Sequence, residues 1–183
     1  MELTKPAQIP YAASTRWYAA LCGDGEPAAP RHLNRTLIRP AGKNTASMQL
    51  TVPLTHSRAY RHADAMSAEI SEHGNWRHTH TEALRASYGR TPFWDHYSPR
   101  LLDIYSRPLT SLRSLNEAIH EFVCRSLGIP HSLEQLKHEA AGKPGLMAAV
   151  RAEAIADSDM ELSILDAMFR LGPDTIFLLL QAL

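Results

Sequence analysis

The stretch 75–97, NWRHTHTEALRASYGRTPFWDHY, decides the fold because it joins the clearest helical pattern to the densest group of aromatic residues. Residues at helical spacing share one face of its first half: Trp76, His80, Ala83, Leu84, Ser87 and Tyr88. Gly89 is expected to end this helix, and Thr91-Pro92 opens a segment that carries Phe93, Trp94 and Tyr97. We therefore predict a helix that buries a histidine in an otherwise apolar face.

The chain before this helix has the pattern of a short helix followed by a β-hairpin. Ser14 is a candidate N-cap for a helix through Leu21. Residues 36–39 and 47–54 are predicted as two strands, with residues 41–44 as the turn between them. The apolar residues Met66, Ala68 and Ile70 then alternate, which is typical of a third strand, although a short helix is the alternative.

The chain after the central stretch is mostly helical by its periodicity. Pro99 is expected to start or kink a segment through Tyr105. Thr110 or Ser111 should cap the longest helix, which has a continuous apolar face: Leu112, Leu115, Ile119, Phe122, Val123 and Leu127. Further helices are predicted at 132–140, from about residue 161 to Gly172, and from Pro173 onward, with a break at 141–145. We predict a single α+β domain over residues 1–183, with a small antiparallel sheet in the N-terminal half covered by a mostly helical C-terminal half.

Composition excludes several classes of protein. Lys+Arg and Asp+Glu number 19 each, so a net charge of zero gives no indication of a nucleic-acid partner. The longest apolar run, 176–180, is too short to cross a bilayer, and the N-terminus lacks the pattern of a secretory signal. Cys22 and Cys124 have no metal-ligand spacing, so we expect a reduced, cytoplasmic protein without a membrane span.

Three helices each place one polar residue where the pattern calls for an apolar one. These residues are His80, Asn116 and Asp166. Because an unsatisfied buried polar group costs about 1–3 kcal/mol, we predict that the three form one polar cluster bordered by Trp76 and Tyr88. The alternative is that each residue is satisfied separately. His80 would then be a hydrogen-bonded core residue, Asn116 would be the same or would cap a strand edge, and Asp166 would pair with an arginine.

Other residues are candidates for binding an anion or a metal. Asn34 and Arg35 precede a strand, and the planar guanidinium of an arginine suits phosphate or carboxylate. Arg77 and Arg85 lie on one row of the central helix, although surface solvation or ion pairing is the alternative for all three arginines. His78 and His80 point to different faces, so no metal site is expected. The sequence has no Gly-rich phosphate loop, and no other cofactor is expected either.

The central stretch also carries a resemblance. Its pattern W-R-x-x-H-x-x-x-L-x-x-S-Y-x-x-T-P-F-W-x-x-Y resembles the central signature of the WbqC-like proteins, a bacterial family. Further segments resemble family elements in the same order along the chain: Tyr11 with 17–21, Asn34-Arg35, 50–54, Leu115-Asn116 with 127–129, and 162–166 with Phe169, Gly172 and Pro173. The loop 22–31 is shorter than the acidic and aromatic insertion usual in the family.

The resemblance implies a role in bacterial surface-polysaccharide (O-antigen) biosynthesis. It also favours the interpretation of residues 66–70 as a third strand. One hypothesis is an enzyme that transfers a group to an activated amino sugar, such as a nucleotide-sugar. His80 would then be the acid or base, with Asp166 or Asn116 orienting it, and the substrate-binding residues would be Asn34, Arg35, Trp76, Arg77 and Tyr88. The other hypothesis is a non-catalytic binding or scaffolding protein for polysaccharide-assembly enzymes, with the aromatic patch as its contact surface. The sequence leaves the oligomeric state open.

Overall fold

The structure, a computed structural model, describes six stretches of the chain. They are residues 8–23, residue 27, 31–42, 46–55, 65–129 and 157–181. The predicted helix at 132–140 and the predicted break at 141–145 lie outside these stretches. No helix in the described stretches is long and apolar enough to cross a membrane.

The N-terminal half contains the predicted short helix and hairpin. Helix α1 spans Thr15–Cys22, and the Ser14 hydroxyl accepts a hydrogen bond from the Trp17 N–H at 3.2 Å. Strands β1 (Arg35–Ile38) and β2 (Met48–Thr51) pair in antiparallel register, with Arg35 opposite Thr51. Thr36 and Ile38 are buried while Arg35 is exposed, so one face of the hairpin is directed at the core and the other at solvent.

The prediction of a third strand through Met66, Ala68 and Ile70 is wrong in its first half. Ala65–Ser67 forms a 3₁₀ turn, closer to the alternative of a short helix. The chain then extends through Glu69 and Ile70, which make only isolated bridges, to Ser111 and Leu54 respectively. The extended part bonds the segment before the longest helix, through Ile70 N–H to the Thr110 carbonyl at 2.7 Å. The alternating apolar residues are all buried, but this segment has too few partners along it to continue a strand.

Helix α2 (Trp76–Tyr88) confirms the pattern in the central stretch, since Trp76, His80, Leu84 and Tyr88 are buried. Helix α3 spans Trp94–Ser106, so it begins five residues before Pro99 and contains that proline. Of the two predicted roles for Pro99, the start of the segment is therefore wrong, and the kink stays a prediction. A proline inside a helix costs about 3 kcal/mol, and this cost is offset by apolar side chains that the opposite, buried face of α3 packs into the core. Those side chains are Trp94, Tyr97, Leu101 and Ile104.

The remaining helices confirm the periodicity of the C-terminal half. Helix α4 spans Leu112–Leu127; the Ser111 hydroxyl caps it, and Gly128 ends it in the left-handed conformation at φ 65°. Helix α5 (Ile164–Leu171) is capped by Ser163, and α6 (Thr175–Gln181) follows a 3₁₀ turn at Gly172–Asp174. Helix α3 packs on α4, and α1 packs on α6, so the helices enclose one apolar core beside the hairpin.

Candidate functional site

His80 lies in a sealed network of aromatic residues. Its Nδ1 is 2.8 Å from the hydroxyl of Tyr11, which in turn makes a short hydrogen bond with the hydroxyl of Tyr105. The edge of the Trp76 ring faces the imidazole, with ring centroids 5.1 Å apart. His80 is only 4% exposed and Tyr11 is fully buried, so solvent does not reach the network. This is the hydrogen-bonded core histidine of the alternative prediction.

The protonation of this network follows from its burial. Burial lowers the pKa of His80 to about 4, while a hydrogen bond to the backbone of Thr51 acts in the opposite direction. Burial raises the pKa of Tyr105 to about 12, so its hydroxyl keeps its proton at neutral pH. A neutral imidazole has one donor and one acceptor nitrogen. We assign the imidazole N–H to the hydrogen bond with the Thr51 backbone, so that Nδ1 accepts a hydrogen bond from the Tyr11 hydroxyl.

Asn116 supports two backbone segments at once. Its Nδ2 donates to the Ile9 carbonyl at 2.8 Å and to the Leu33 carbonyl at 3.0 Å. The same Leu33 carbonyl accepts the N–H of Tyr11 at 2.9 Å. Asn116 is 1% exposed. It therefore joins helix α4 to the segment before α1 and to the segment before β1.

Asp166 forms ion pairs, as its alternative prediction had it. Its carboxylate accepts from Arg39 Nε at 3.2 Å and from Arg170 Nη1 at 3.4 Å. Arg39 also pairs with Asp159 at 2.8 Å. The nearby Tyr88 hydroxyl accepts the backbone N–H of Arg39 at 3.1 Å, and burial together with the charge of Asp166 raises the pKa of Tyr88.

The three residues do not form the predicted single network. In the described part of the chain His80 bonds a tyrosine, Asn116 bonds two carbonyls, and Asp166 bonds two arginines. The prediction assumed that buried polar side chains satisfy one another. Main-chain carbonyls accept the N–H groups of Asn116, and arginines pair with Asp166, whereas the buried Oδ1 of Asn116 has no hydrogen-bond partner among the described residues.

A pocket of about 300 Å³ opens beside the hairpin instead. It lies between the segment that leads into α1, the segment that leads into β1, the outer face of the hairpin and the 3₁₀ turn before α5. The lining includes Pro10, Ala13, Ser14, Trp17, Arg31, His32, Arg35, Leu37, Gln49 and Glu161. Its volume is at the lower end of the range for small-molecule sites.

The buried polar residues hold the walls of this pocket. Tyr11 lies between the lining residues Pro10 and Ala13, and the His80 and Leu33 hydrogen bonds fix it. Ala12 has a positive φ of 40°, which is rare for a residue with a side chain. Its carbonyl accepts from Thr36 Oγ1 at 2.7 Å and from Ser163 Oγ at 2.9 Å. Several hydrogen bonds therefore fix a strained backbone at the pocket, a pattern that is common at binding sites.

Arg35 is the predicted substrate-binding residue that lines the pocket. The side chain of Asn34 donates to the Val52 carbonyl instead. Arg77 pairs with Glu72 and donates to the Leu109 carbonyl at 2.7 Å, which is the ion-pairing alternative. Trp76 and Tyr88 are buried in the core. Nothing in these contacts tests their roles as substrate contacts, which stay predictions.

The sequence did not single out Arg31 or Glu161 for the pocket. Arg31 follows a Gly- and Pro-rich loop, and Glu161 ends a 3₁₀ turn, so neither has a periodic pattern that marks it. Trp17 lines the pocket as well, while it packs edge-on against Tyr18. In the described stretches, no group of three His, Cys, Asp or Glu side chains is placed to hold a metal ion.

Comparison with known proteins gives one match. A family model described as the WbqC-like protein family matches residues 30–150. The match includes the central stretch, Arg35 and Asn116, whereas Tyr11, Trp17 and Asp166 lie outside it. No curated protein and no solved structure matches the chain.

Proposed function

The chain belongs to the WbqC-like protein family, and from that premise we propose that it acts in bacterial surface-polysaccharide (O-antigen) biosynthesis by binding an activated sugar in the pocket beside the hairpin. The family resemblance supports the setting, and the pocket supports the ligand. A nucleotide-sugar or sugar phosphate combines an anionic group with a polar ring, and the lining offers a partner for each.

The observation that carries the proposal is the pair of arginines at the pocket. Within the described stretches, neither the Arg31 nor the Arg35 side chain has a hydrogen-bond or ion-pair partner, and both are exposed. Two guanidinium groups at one concave site suit the oxygens of a phosphate. Trp17 supplies an aromatic wall, and the exposed side chain of Gln49 supplies an amide for ring hydroxyls.

Binding has more support than the finer hypothesis of group transfer through His80. The imidazole is 4% exposed, and its pKa of about 4 makes it a weak base. Scaffolding through the aromatic patch has less support as well, because Trp94 and Tyr97 are buried and Trp94 packs on Phe169. A buried patch offers no contact surface to a partner.

Thermal unfolding in the presence of nucleoside diphosphate sugars tests the proposal. A ligand at about 100 times its Kd stabilises the folded protein by about 2.7 kcal/mol, so the melting temperature should rise. Arg35→Gln should reduce that rise because it removes a phosphate contact. Arg85→Gln is the matched control, since Arg85 is an exposed arginine on α2 that pairs with Glu82.

Two results would contradict the proposal. If no nucleotide-sugar of a panel with varied bases and sugars raises the melting temperature, the chain does not bind activated sugars. If Arg85→Gln weakens the response as much as Arg35→Gln does, the ligand lies outside the pocket.

A further inference from the structure

The pocket is lined by side chains of opposite charge. Arg31 and Arg35 lie where the chain enters β1, and Glu161 lies at the 3₁₀ turn before α5. The Ser163 N–H donates to the Leu37 carbonyl at 2.7 Å, which places the segment that carries Glu161 beside Leu37. Leu37 is two residues beyond Arg35 on the same strand face, about 6–7 Å along β1.

From this arrangement we infer that the pocket selects a phosphorylated amino sugar, with the phosphate at Arg31 and Arg35 and the amine at the carboxylate of Glu161. The inference rests on the proposed function and specifies the ligand class of the same site. A sugar that carries a phosphate and an amine on opposite sides of its ring has one charged group for each sign of charge in this lining. The hydroxyl counterpart would leave the carboxylate without a cationic ligand group.

The carboxylate of Glu161 already has one partner. Its Oε1 pairs with Arg16 Nε at 2.5 Å, and both side chains are about half exposed. Among the residues that the structure describes, the second oxygen, Oε2, has no partner, so it can accept from an ammonium group. Since exposed ion pairs contribute little, the gain from the amine should be about threefold to fivefold in affinity.

Titration calorimetry with glucosamine 6-phosphate and glucose 6-phosphate tests the inference. The two probes differ only in the amine, which lies across the ring from the phosphate, and at about pH 6.5 the amine carries a proton. The wild-type protein should bind the amino sugar about threefold to fivefold more tightly. Glu161→Gln should abolish this preference while leaving the affinity for glucose 6-phosphate within about twofold.

Arg16→Gln is the matched control variant. It breaks the same ion pair as Glu161→Gln but keeps the carboxylate, so the preference for the amino sugar should persist. Arg35→Gln should weaken both probes equally because the phosphate is common to them.

The outcomes separate this inference from the proposed function. Equal affinity of the wild-type protein for the two probes overturns the inference, as does a preference that survives Glu161→Gln. If nucleotide-sugars bind but neither sugar 6-phosphate does, the inference is also overturned, and the proposed function stands. If nucleotide-sugars and both probes fail to bind, the proposed function fails together with it.

Discussion

At the scale of single residues, His80 is a buried histidine whose imidazole is held in its neutral form. Burial lowers its pKa to about 4, whereas the unfolded chain has the ordinary value near 6.5. Below about pH 6.5 the unfolded chain therefore takes up a proton that the folded protein does not. Because the folded state binds fewer protons, stability falls as pH drops through this range, and above about pH 6.5 the contribution is constant.

We expect the His80 contribution to lower the free energy of unfolding by about 3 kcal/mol in total as pH falls from about 6.5 to about 4. His80→Gln removes the titrating group, so urea unfolding at a series of pH values should show a smaller decrease for this variant. His78→Gln is the control, because His78 is exposed on the same helix. A His80→Gln protein with the same pH dependence as wild type would show that the imidazole is not held neutral.

At the scale of elements, the turn after α5 depends on a glycine. Gly172 has a φ of 61°, a conformation that side chains disfavour, and a Cβ there would lie 2.4 Å from the ring of Phe93. Phe93 precedes α3, and its N–H donates to the Phe169 carbonyl of α5 at 3.1 Å. The close approach of Gly172 to Phe93 is therefore part of how α5 packs beside α3.

Gly172→Ala should destabilise the protein by more than the roughly 1 kcal/mol that backbone strain alone costs, because the phenyl ring must also move. Gly74→Ala isolates the strain, since Gly74 has a φ of 81° and nothing within 4 Å of its added Cβ. Denaturant unfolding of the two variants measures the difference. Equal losses would mean that the Phe93 contact does not restrict residue 172.

At the scale of the whole molecule, Asn116 joins parts of the chain that are far apart in sequence. Its carbonyl partners belong to Ile9 and Leu33, which are 107 and 83 residues away. Both partners adjoin the pocket, next to Pro10 and His32 respectively. Helix α4 thus holds two walls of the pocket through one amide group.

Asn116→Asp keeps the shape of the side chain but directs a carboxylate at two carbonyls. Because the site is 1% exposed, we expect a loss of about 3 kcal/mol or more in the free energy of unfolding. Asn34→Asp is a milder case, since Asn34 is half-buried and donates to one carbonyl at 2.9 Å. Urea unfolding of both variants near pH 7 decides the matter, and a loss no greater than that of Asn34→Asp would contradict this role for Asn116.

The sequence by itself determined the local elements and the positions that break their patterns. The periodicity from Trp76 to Tyr88 and the cap at Ser111 depend on spacing within one helix, so a linear chain carries that information. The hairpin was predictable because its signals, the alternation within each strand and the turn between them, are also local in sequence. At Pro99, burial of the neighbouring aromatic side chains outweighed the local preference for a helix start, so the predicted start was wrong.

Only the tertiary structure decided what the polar residues contact and where the pocket lies. The partners of Asn116 are main-chain carbonyls, and main-chain groups have no signature in the sequence. The pocket combines Arg35, whose anion-binding chemistry the sequence indicated, with Trp17 and with Glu161, more than 100 residues away. Residues so far apart in sequence come together only when the elements that carry them pack. The spacing of residues within one element therefore does not predict such contacts.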